Sequence, residues 1–230
     1  MRLPVMNFGK LRERIAPEST IVYYRRGMNE LSLNITNACP NACTFCVRDR
    51  DPGWGVANLY LERDPSVEEI CAAFDNELGK IDEQGVRLEK VKICGYGEPI
   101  LRFEDLKPIA RHIQQRSPTS IQVTTTGWPY FKFVCSDASR LEGLRNAGIT
   151  DIYLSLSTTN PQVYQKLVRP GVRNLEPGAF EESIRFARSA RDAGLAVTLG
   201  FIRLANLDER AAVQLATEMG ISYKIRDYEP

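Results

Sequence analysis

The stretch LSLNITNACPNACTFC, residues 31–46, places three cysteines at the end of a short apolar run. The run from Leu31 to Thr36 has the composition of a β-strand. Cys39, Cys43 and Cys46 follow it, with three and then two residues between them. In folds built from parallel strands, ligands gather at the C-terminal ends of the strands. The cysteines therefore stand where such a fold would place a binding site.

The remainder of the chain alternates short β-branched runs with stretches of helical periodicity. Strands are predicted over residues 31–36, 90–94, 120–125, 151–157, 195–201 and 222–226. Helices are predicted over residues 66–78, 104–116, 137–147, 177–193 and 207–219. Ser66, with Glu69 three residues later, is typical of a capping box at a helix N-terminus. Gly148, Gly194 and Gly220 each follow a predicted helix as a C-terminal stop.

This alternation predicts an α/β fold of six β-α units around a parallel sheet. Right-handed crossovers would wind six units into an open, incomplete (β/α)6 barrel, whereas eight would close it. Residues 20–26 and the turn after them predict a short β-hairpin added to the front. The expected organisation is an N-terminal extension with a hairpin strand over residues 1–29 and one core domain over residues 30–230.

Composition limits the class of function. Thirty Lys and Arg offset twenty-nine Asp and Glu in 230 residues, and a formal charge of +1 argues against a basic nucleic-acid-binding module. The longest apolar run, residues 194–202, is far shorter than the roughly 20 residues of a membrane helix. The N-terminus lacks the apolar stretch of a signal peptide, so we expect a cytoplasmic protein in which six cysteines do not form a disulfide framework.

The spacing of the first three cysteines points to metal chemistry. Thiolates select zinc, copper(I) or iron–sulfur clusters, and structural zinc sites are nearly always closed by four protein ligands. His112 and Cys71 both fall on predicted helices and are not natural fourth ligands. A [4Fe–4S] cluster with three cysteine ligands would leave one iron open. Structural zinc and unrelated core cysteines are the alternatives, and core positions are expected for Cys71, Cys94 and Cys135.

The cysteine spacing, with Phe45 just before the third cysteine, resembles the cluster motif of the radical S-adenosylmethionine (SAM) superfamily. The resemblance implies a partial TIM barrel in which Cys39, Cys43 and Cys46 hold a [4Fe–4S] cluster. The open iron of that cluster would be chelated by the amino and carboxylate groups of SAM. At finer grain, residues 43–48, 59–62, 94–99, 168–170 and 224–228 are similar to the small TatD-associated radical SAM proteins.

A second motif, CGYGEP at residues 94–99, follows the second predicted strand and resembles the Gly-Gly-Glu motif of the same superfamily. The resemblance implies that the backbone of Gly95 and Gly97 and the acid of Glu98 hold the methionine amino group. The alternative is an ordinary β-α turn with a surface acid.

The resemblance also implies further SAM contacts at the other strand ends. Ser155 and Ser157 would lie near the ribose, Gly200 would present backbone to the adenine, and Phe45 would cover the base. Further candidates are Thr126, where the family often has Asn, and Arg169, which would pair with a carboxylate. Local hydrogen bonding of the hydroxyl groups and a solvated arginine are the alternatives.

The resemblance implies an enzyme that reductively cleaves SAM to a 5′-deoxyadenosyl radical, which abstracts hydrogen from a small-molecule substrate. A low-potential donor such as flavodoxin or ferredoxin would supply the electron. The alternatives are a radical SAM enzyme acting on a partner protein and a non-catalytic metal or Fe–S binding module. The long segment from Cys46 to Pro65 has the length of a lid or binding loop, and Arg48 and Trp54 within it are hypothesised to hold an anionic or ring-bearing substrate.

Overall fold

The computed structural model of the protein describes residues 20–49, 58–171, 176–205 and 207–228. Within them, seven strands form one sheet in chain order, with β1 antiparallel to β2 and every later pair parallel. The strands are β1 (Val22–Arg25), β2 (Glu30–Leu33), β3 (Lys90–Ile93), β4 (Ser120–Thr125), β5 (Asp151–Ser157), β6 (Ala196–Arg203) and β7 (Ser222–Asp227). The predicted hairpin and the incomplete α/β barrel of six parallel strands are confirmed.

Helices connect successive parallel strands. They are α1 (Val67–Glu83), α2 (Phe103–Arg116), α3 (Glu142–Asn146), α4 (Pro161–Val168), α5 (Ala179–Asp192) and α6 (Glu209–Met219). The capping box is confirmed: Ser66 Oγ accepts from the Glu69 N–H at 3.2 Å, and the Glu69 carboxylate accepts from the Ser66 N–H at 2.8 Å. The third predicted helix is divided into a 3₁₀ turn (Ala138–Leu141) and α3.

The structure contains a short helix and a π-helical turn that the sequence did not predict. The short helix α4 begins after Asn160, whose side chain caps it by accepting from the Val163 N–H at 3.0 Å. A π-helical turn (Tyr130–Val134) follows β4. Neither element is long enough to display a clear helical period, which explains why pattern analysis missed both.

The parallel register gives the sheet two different sides. Leu31, Val91 and Ile121 stand side by side on β2, β3 and β4, and all three are fully buried in the main hydrophobic core. Their neighbours Lys92 and Gln122 point to the other side because side chains alternate along a strand. Helices thus cover one side of the sheet, and the other carries polar groups. None of the described helices is long and apolar enough to cross a membrane.

Candidate functional site

Cys39, Cys43 and Cys46 lie on the loop that follows β2, which we call the cysteine loop. This loop packs against the C-terminus of α4. The Ala42 N–H donates to the carbonyls of Val168 and Arg169, both at 3.2 Å, and the Thr44 N–H donates to the Leu167 carbonyl at 2.8 Å. The last carbonyls of a helix lack partners within the helix. Backbone N–H groups of the cysteine loop supply those partners, so the C-terminus of α4 holds the loop in place.

The thiols lie in a desolvated environment. Burial, followed by the nearby Glu98 carboxylate, raises the pKa of the Cys39 thiol to about 12, while Arg48 acts in the opposite direction. Burial likewise raises the pKa of Cys43 well above its ordinary value. A thiol with a raised pKa is protonated at neutral pH until a metal displaces its proton. Metal loading of this loop should therefore release protons.

The donor set fits an iron–sulfur cluster better than a single metal ion. Among the residues that the structure describes, no three His, Cys, Asp or Glu side chains converge closely enough to hold one ion. Cysteine thiolates around a [4Fe–4S] cluster each bind a different iron, so they need not converge on one point. Three thiols on one loop meet that requirement.

The guanidinium of Arg48 is part of the cysteine loop. Its Nε donates to Cys46 Sγ at 3.2 Å, and its two terminal nitrogens donate to the carbonyls of Asn41 at 3.3 Å and Asn37 at 3.5 Å. The residue is 5% exposed. Three of its N–H groups thus bond within the cysteine loop, and the hypothesis that Arg48 also holds a substrate stays a prediction. Trp54, the second residue of that hypothesis, lies outside the described residues.

The loop over residues 94–99 packs directly against the cysteine loop. A Cβ on Gly97 would lie 2.3 Å from the Thr36 carbonyl oxygen and 2.7 Å from the Ala38 carbonyl oxygen, so only glycine fits there. The Glu98 N–H donates to the same Ala38 carbonyl at 2.8 Å. The two sequence motifs therefore meet at the C-terminal ends of β2 and β3.

Glu98 is buried and joins β3 to β4. Its Oε2 accepts from the backbone N–H and the hydroxyl of Thr126, each at 2.8 Å, and its Oε1 accepts from the Ile100 N–H at 3.2 Å. Burial raises the pKa of this carboxyl, and the hydrogen bonds from Thr125, Thr126 and Ile100 oppose that rise. Glu98 thus forms a cross-link between two strand ends that no local sequence pattern predicts.

Asn41 and Trp128 complete the same buried network, and neither was selected from the sequence. Asn41 Nδ2 donates to Thr126 Oγ1 at 3.2 Å, and Trp128 Nε1 donates to Asn41 Oδ1 at 2.9 Å. Both residues are 1% exposed. The position of Asn41 between two of the cysteines was the one available signal. Through it, the cysteine loop is tied to the end of β4.

The candidate residues on β5 and β6 are arranged less regularly than a two-residue period implies. Ser155 pairs with Gly200, whereas Ser157 pairs with Phe201, so a register shift lies between the two serines. Ser157 has φ 67° and is 2% exposed. The serines thus do not share one face of the strand. A Cβ on Gly200 would lie 2.4 Å from the Tyr153 ring, which already covers that position.

The two remaining SAM-contact candidates lie at the edges of the site. Phe45 is partly buried and packs against the hydrophobic core. Arg169 is exposed and forms the left-handed C-cap of α4, with φ 49°. Its backbone carbonyl, rather than its guanidinium, contacts the cysteine loop.

The other three cysteines are half-buried, and Cys135 packs against the hydrophobic core. Burial raises the pKa of Cys71. Hydrogen bonds from Arg140 and from the Asp137 N–H lower the pKa of Cys135. None of the three belongs to the cysteine loop, which leaves Cys39, Cys43 and Cys46 as the candidate ligands.

Comparison with known proteins identifies the relatives of this chain. GTP 3′,8-cyclase from Aquifex aeolicus is 27% identical over 206 residues, which cover 88% of this chain and 57% of the relative. The probable GTP 3′,8-cyclase from Methanosarcina mazei is 30% identical over 209 residues, covering 88% of this chain and 55% of the relative. The chain spans about half the length of the curated relatives that it matches.

Solved structures share the fold. Streptococcus suis SuiB bound to S-adenosylmethionine superposes with a TM-score of 0.60 at 18% identity, covering 89% of this chain and 43% of that one. A radical SAM methyltransferase from Sphaerobacter thermophilus gives a TM-score of 0.59 at 17% identity, covering 90% and 68%. The family profile of the Radical SAM superfamily matches residues 33–210, most of the chain. The protein therefore belongs to the Radical SAM superfamily, whose enzymes use a [4Fe–4S] cluster and SAM.

Proposed function

We propose that the protein reductively cleaves SAM at a [4Fe–4S] cluster bound by Cys39, Cys43 and Cys46, and that the 5′-deoxyadenosyl radical so formed abstracts hydrogen from a small-molecule substrate. One observation carries the proposal: the cysteine loop and the 94–99 loop meet at the C-terminal ends of neighbouring parallel strands, with Gly97 against the Ala38 carbonyl. Membership in the superfamily supports the cofactor chemistry.

In this proposal, the chain fixes the two cofactor loops relative to each other. The carbonyls at the end of α4 hold the cysteine loop from one side. Asn41, Thr126 and Glu98 hold it from the other, through buried hydrogen bonds that also join β3 to β4. A buried, fully bonded polar network gives a rigid site. Rigidity here would fix the direction from which the radical meets its substrate.

The methionine end of SAM is assigned to the 94–99 loop. The backbone of Gly95 and Gly97 would receive the amino group, with the Glu98 carboxylate behind it. Hydrogen bonds from Thr125, Thr126 and Ile100 already reach this carboxylate, so it would act through its negative charge. Thr126, which bonds to Glu98, would act through the same network.

The nucleoside end of SAM is assigned to β5 and β6. Ser155 would reach the ribose, and the backbone at Gly200, its partner in the sheet, would meet the adenine beside the Tyr153 ring. Phe45 would cover the base. Ser157 and Arg169 stay candidates for the ribose and for a carboxylate.

A small polar molecule suits the side of the sheet that the helices leave open. That side carries Lys92, Gln122 and Tyr153, all half-buried. A donor such as flavodoxin or ferredoxin would supply the electron, and the reducing cytoplasm would keep the thiols available. The similarity of residues 94–99 and 224–228 supports a place among the TatD-associated radical SAM proteins.

Anaerobic reconstitution tests the proposal. The protein should bind close to four irons and, once reduced with dithionite in the presence of SAM, release 5′-deoxyadenosine and methionine. Cys39→Ala, Cys43→Ala and Cys46→Ala should each abolish that release. Cys71→Ala and Cys135→Ala are the matched controls and should retain it, because these thiols lie outside both the cysteine loop and the 94–99 loop.

The outcomes are distinct. If the purified protein retained one zinc ion and no iron, the assignment of an iron–sulfur cluster would be refuted. A loaded cluster that never cleaves SAM would refute the reaction. The substrate is then sought with SAM-dependent deuterium exchange. If deuterium entered only a polypeptide, the substrate would be a protein and the assignment of a small-molecule substrate would be wrong.

A further inference from the structure

We propose that Arg48 sets the reduction potential of the cluster, acting as a positioning residue through its hydrogen bond to the sulfur of Cys46. The inference rests on the proposed function, in which Cys46 binds an iron. It goes beyond that function because it assigns a role to a residue that touches neither SAM nor substrate in the proposal.

The geometry is that of a cation held against a ligand sulfur. Arg48 Nε donates to Cys46 Sγ at 3.2 Å, which is a close N–H···S contact. Arg48 is 5% exposed, so little water screens its charge from the sulfur. Arginine stays protonated under any condition in which the protein folds. The sulfur of Cys46 therefore faces a permanent positive charge.

The same guanidinium also spans the loop. Its terminal nitrogens donate to the carbonyls of Asn37 and Asn41, which lie on either side of Cys39. One side chain thus bonds to the segment around Cys39 and to the thiol of Cys46. Because the fork is planar and bonded at three points, its direction toward Cys46 Sγ is fixed.

The expected consequence follows from charge. Reduction takes one electron from a low-potential donor, converts the cluster core from the 2+ to the 1+ state and oxidises the donor by one electron. That electron adds negative charge to a site that three thiolates already make negative. Hydrogen bonds to the sulfurs, together with net charge, set the potentials of such clusters. A buried cation bonded to a ligand sulfur favours the reduced state and raises the potential.

The competing interpretation is that Arg48 only stabilises the folded cysteine loop. Three substitutions distinguish this role from control of the reduction potential. Arg48→Lys keeps the charge and loses the planar fork. Arg48→Gln keeps a donor and loses the charge, and Arg48→Met removes both. Arg102→Met is the matched control: Arg102 Nη1 donates to the carbonyls of Ile35 at 2.6 Å and Pro65 at 2.8 Å, so it also holds backbone near the site. No sulfur contact to Arg102 is present among the described residues.

The measurement is an EPR-monitored redox titration of the reconstituted cluster without SAM, with iron content and apoprotein melting recorded for each variant. Arg48→Gln and Arg48→Met should lower the midpoint potential by about 59 mV. For a one-electron couple, this shift makes the ratio of reduced to oxidised cluster roughly tenfold smaller at the same solution potential. Arg48→Lys should lie between them and the wild type. Arg102→Met should leave the midpoint unchanged even if it lowers the melting temperature.

A wild-type midpoint in Arg48→Met or Arg48→Gln would overturn the inference. If folded apoprotein of all three Arg48 variants failed to bind iron, Arg48 would belong to loop assembly alone, and the inference would also fall. Failure of the proposed function looks different: the wild type would bind no cluster, or Cys46→Ala would keep the full iron content and the wild-type EPR signal.

Discussion

Glu98 and Thr126 are joined by two hydrogen bonds: one carboxylate oxygen accepts from both the backbone N–H and the hydroxyl of Thr126, each at 2.8 Å. The residues lie at the ends of adjacent strands, and both are buried. Thr126 Oγ1 also accepts from Asn41, on the cysteine loop. This pair therefore connects the two cofactor loops of the proposed site.

The first prediction concerns the Thr126 hydroxyl. Thr126→Val keeps the shape of the side chain but removes one donor to Glu98 and the acceptor for Asn41. Buried groups left without a partner cost about 1–3 kcal/mol each, so the free energy of unfolding should fall by about that amount. Urea denaturation of the apoprotein measures the change. Thr126→Ser, which keeps the hydroxyl, should recover most of the loss, and equal losses in both variants would contradict the prediction.

A second prediction concerns the contact between the two motifs. Gly97→Ala places a methyl group 2.3 Å from the Thr36 carbonyl, a backbone atom that cannot move without shifting the cysteine loop. We expect a loss of about 1–3 kcal/mol in unfolding free energy and incomplete cluster loading. Gly79→Ala is the control, because Gly79 lies within α1 with open space around it. That variant should gain about 0.5–1 kcal/mol. If the Gly97→Ala variant bound the cluster as completely as the wild type, the close approach of Gly97 to the Thr36 carbonyl would be contradicted.

A third prediction concerns thiol reactivity. The pKa of Cys135 is lowered by Arg140 and the Asp137 N–H, whereas burial raises the pKa of Cys71. Because the thiolate is the nucleophile, Cys135 should be alkylated by iodoacetamide at pH 7 faster than Cys71 in the cluster-loaded protein. Peptide mass spectrometry follows both sites. Arg140→Ala should slow the reaction of Cys135 and leave Cys71 unchanged; faster labelling of Cys71 would refute the assignment.

The fourth prediction concerns pH. Hydrogen bonds from Arg63 and from the Ser66 N–H lower the pKa of Glu69 from 4.5 to about 2. A lowered folded-state pKa stabilises the fold above pH 4.5, and this contribution is lost as the pH falls toward 2. The difference in melting temperature between the wild-type apoprotein and Glu69→Gln should therefore be constant near pH 6 and shrink to roughly half at pH 3. Since the pair is exposed, 0.5 M salt should weaken it. A difference that stays constant down to pH 3 would exclude this linkage.

The elements that the sequence predicted well are those specified by neighbouring residues. The strands over residues 120–125 and 151–157 were predicted with their exact bounds in the structure, because β-branched runs bounded by turn signals favour them locally. The N-terminus of α1 depended on Ser66 and Glu69 alone, three residues apart. The cysteine spacing also lies within a few residues, and it carried the resemblance to the superfamily.

The sequence by itself therefore determined the order of the parallel strands and of the longer helices, the family and the candidate ligands. Only the tertiary structure decided what surrounds them. Asn41 and Trp128 are 87 residues apart, and Glu98 and Thr126 are 28 apart, so no local pattern announces either pair. The bond from Arg48 to Cys46 was not predicted either, because loop packing, rather than residue type, sets where a guanidinium points. Secondary structure follows from short-range preferences, whereas the partner of a buried polar group is fixed only when distant segments pack together.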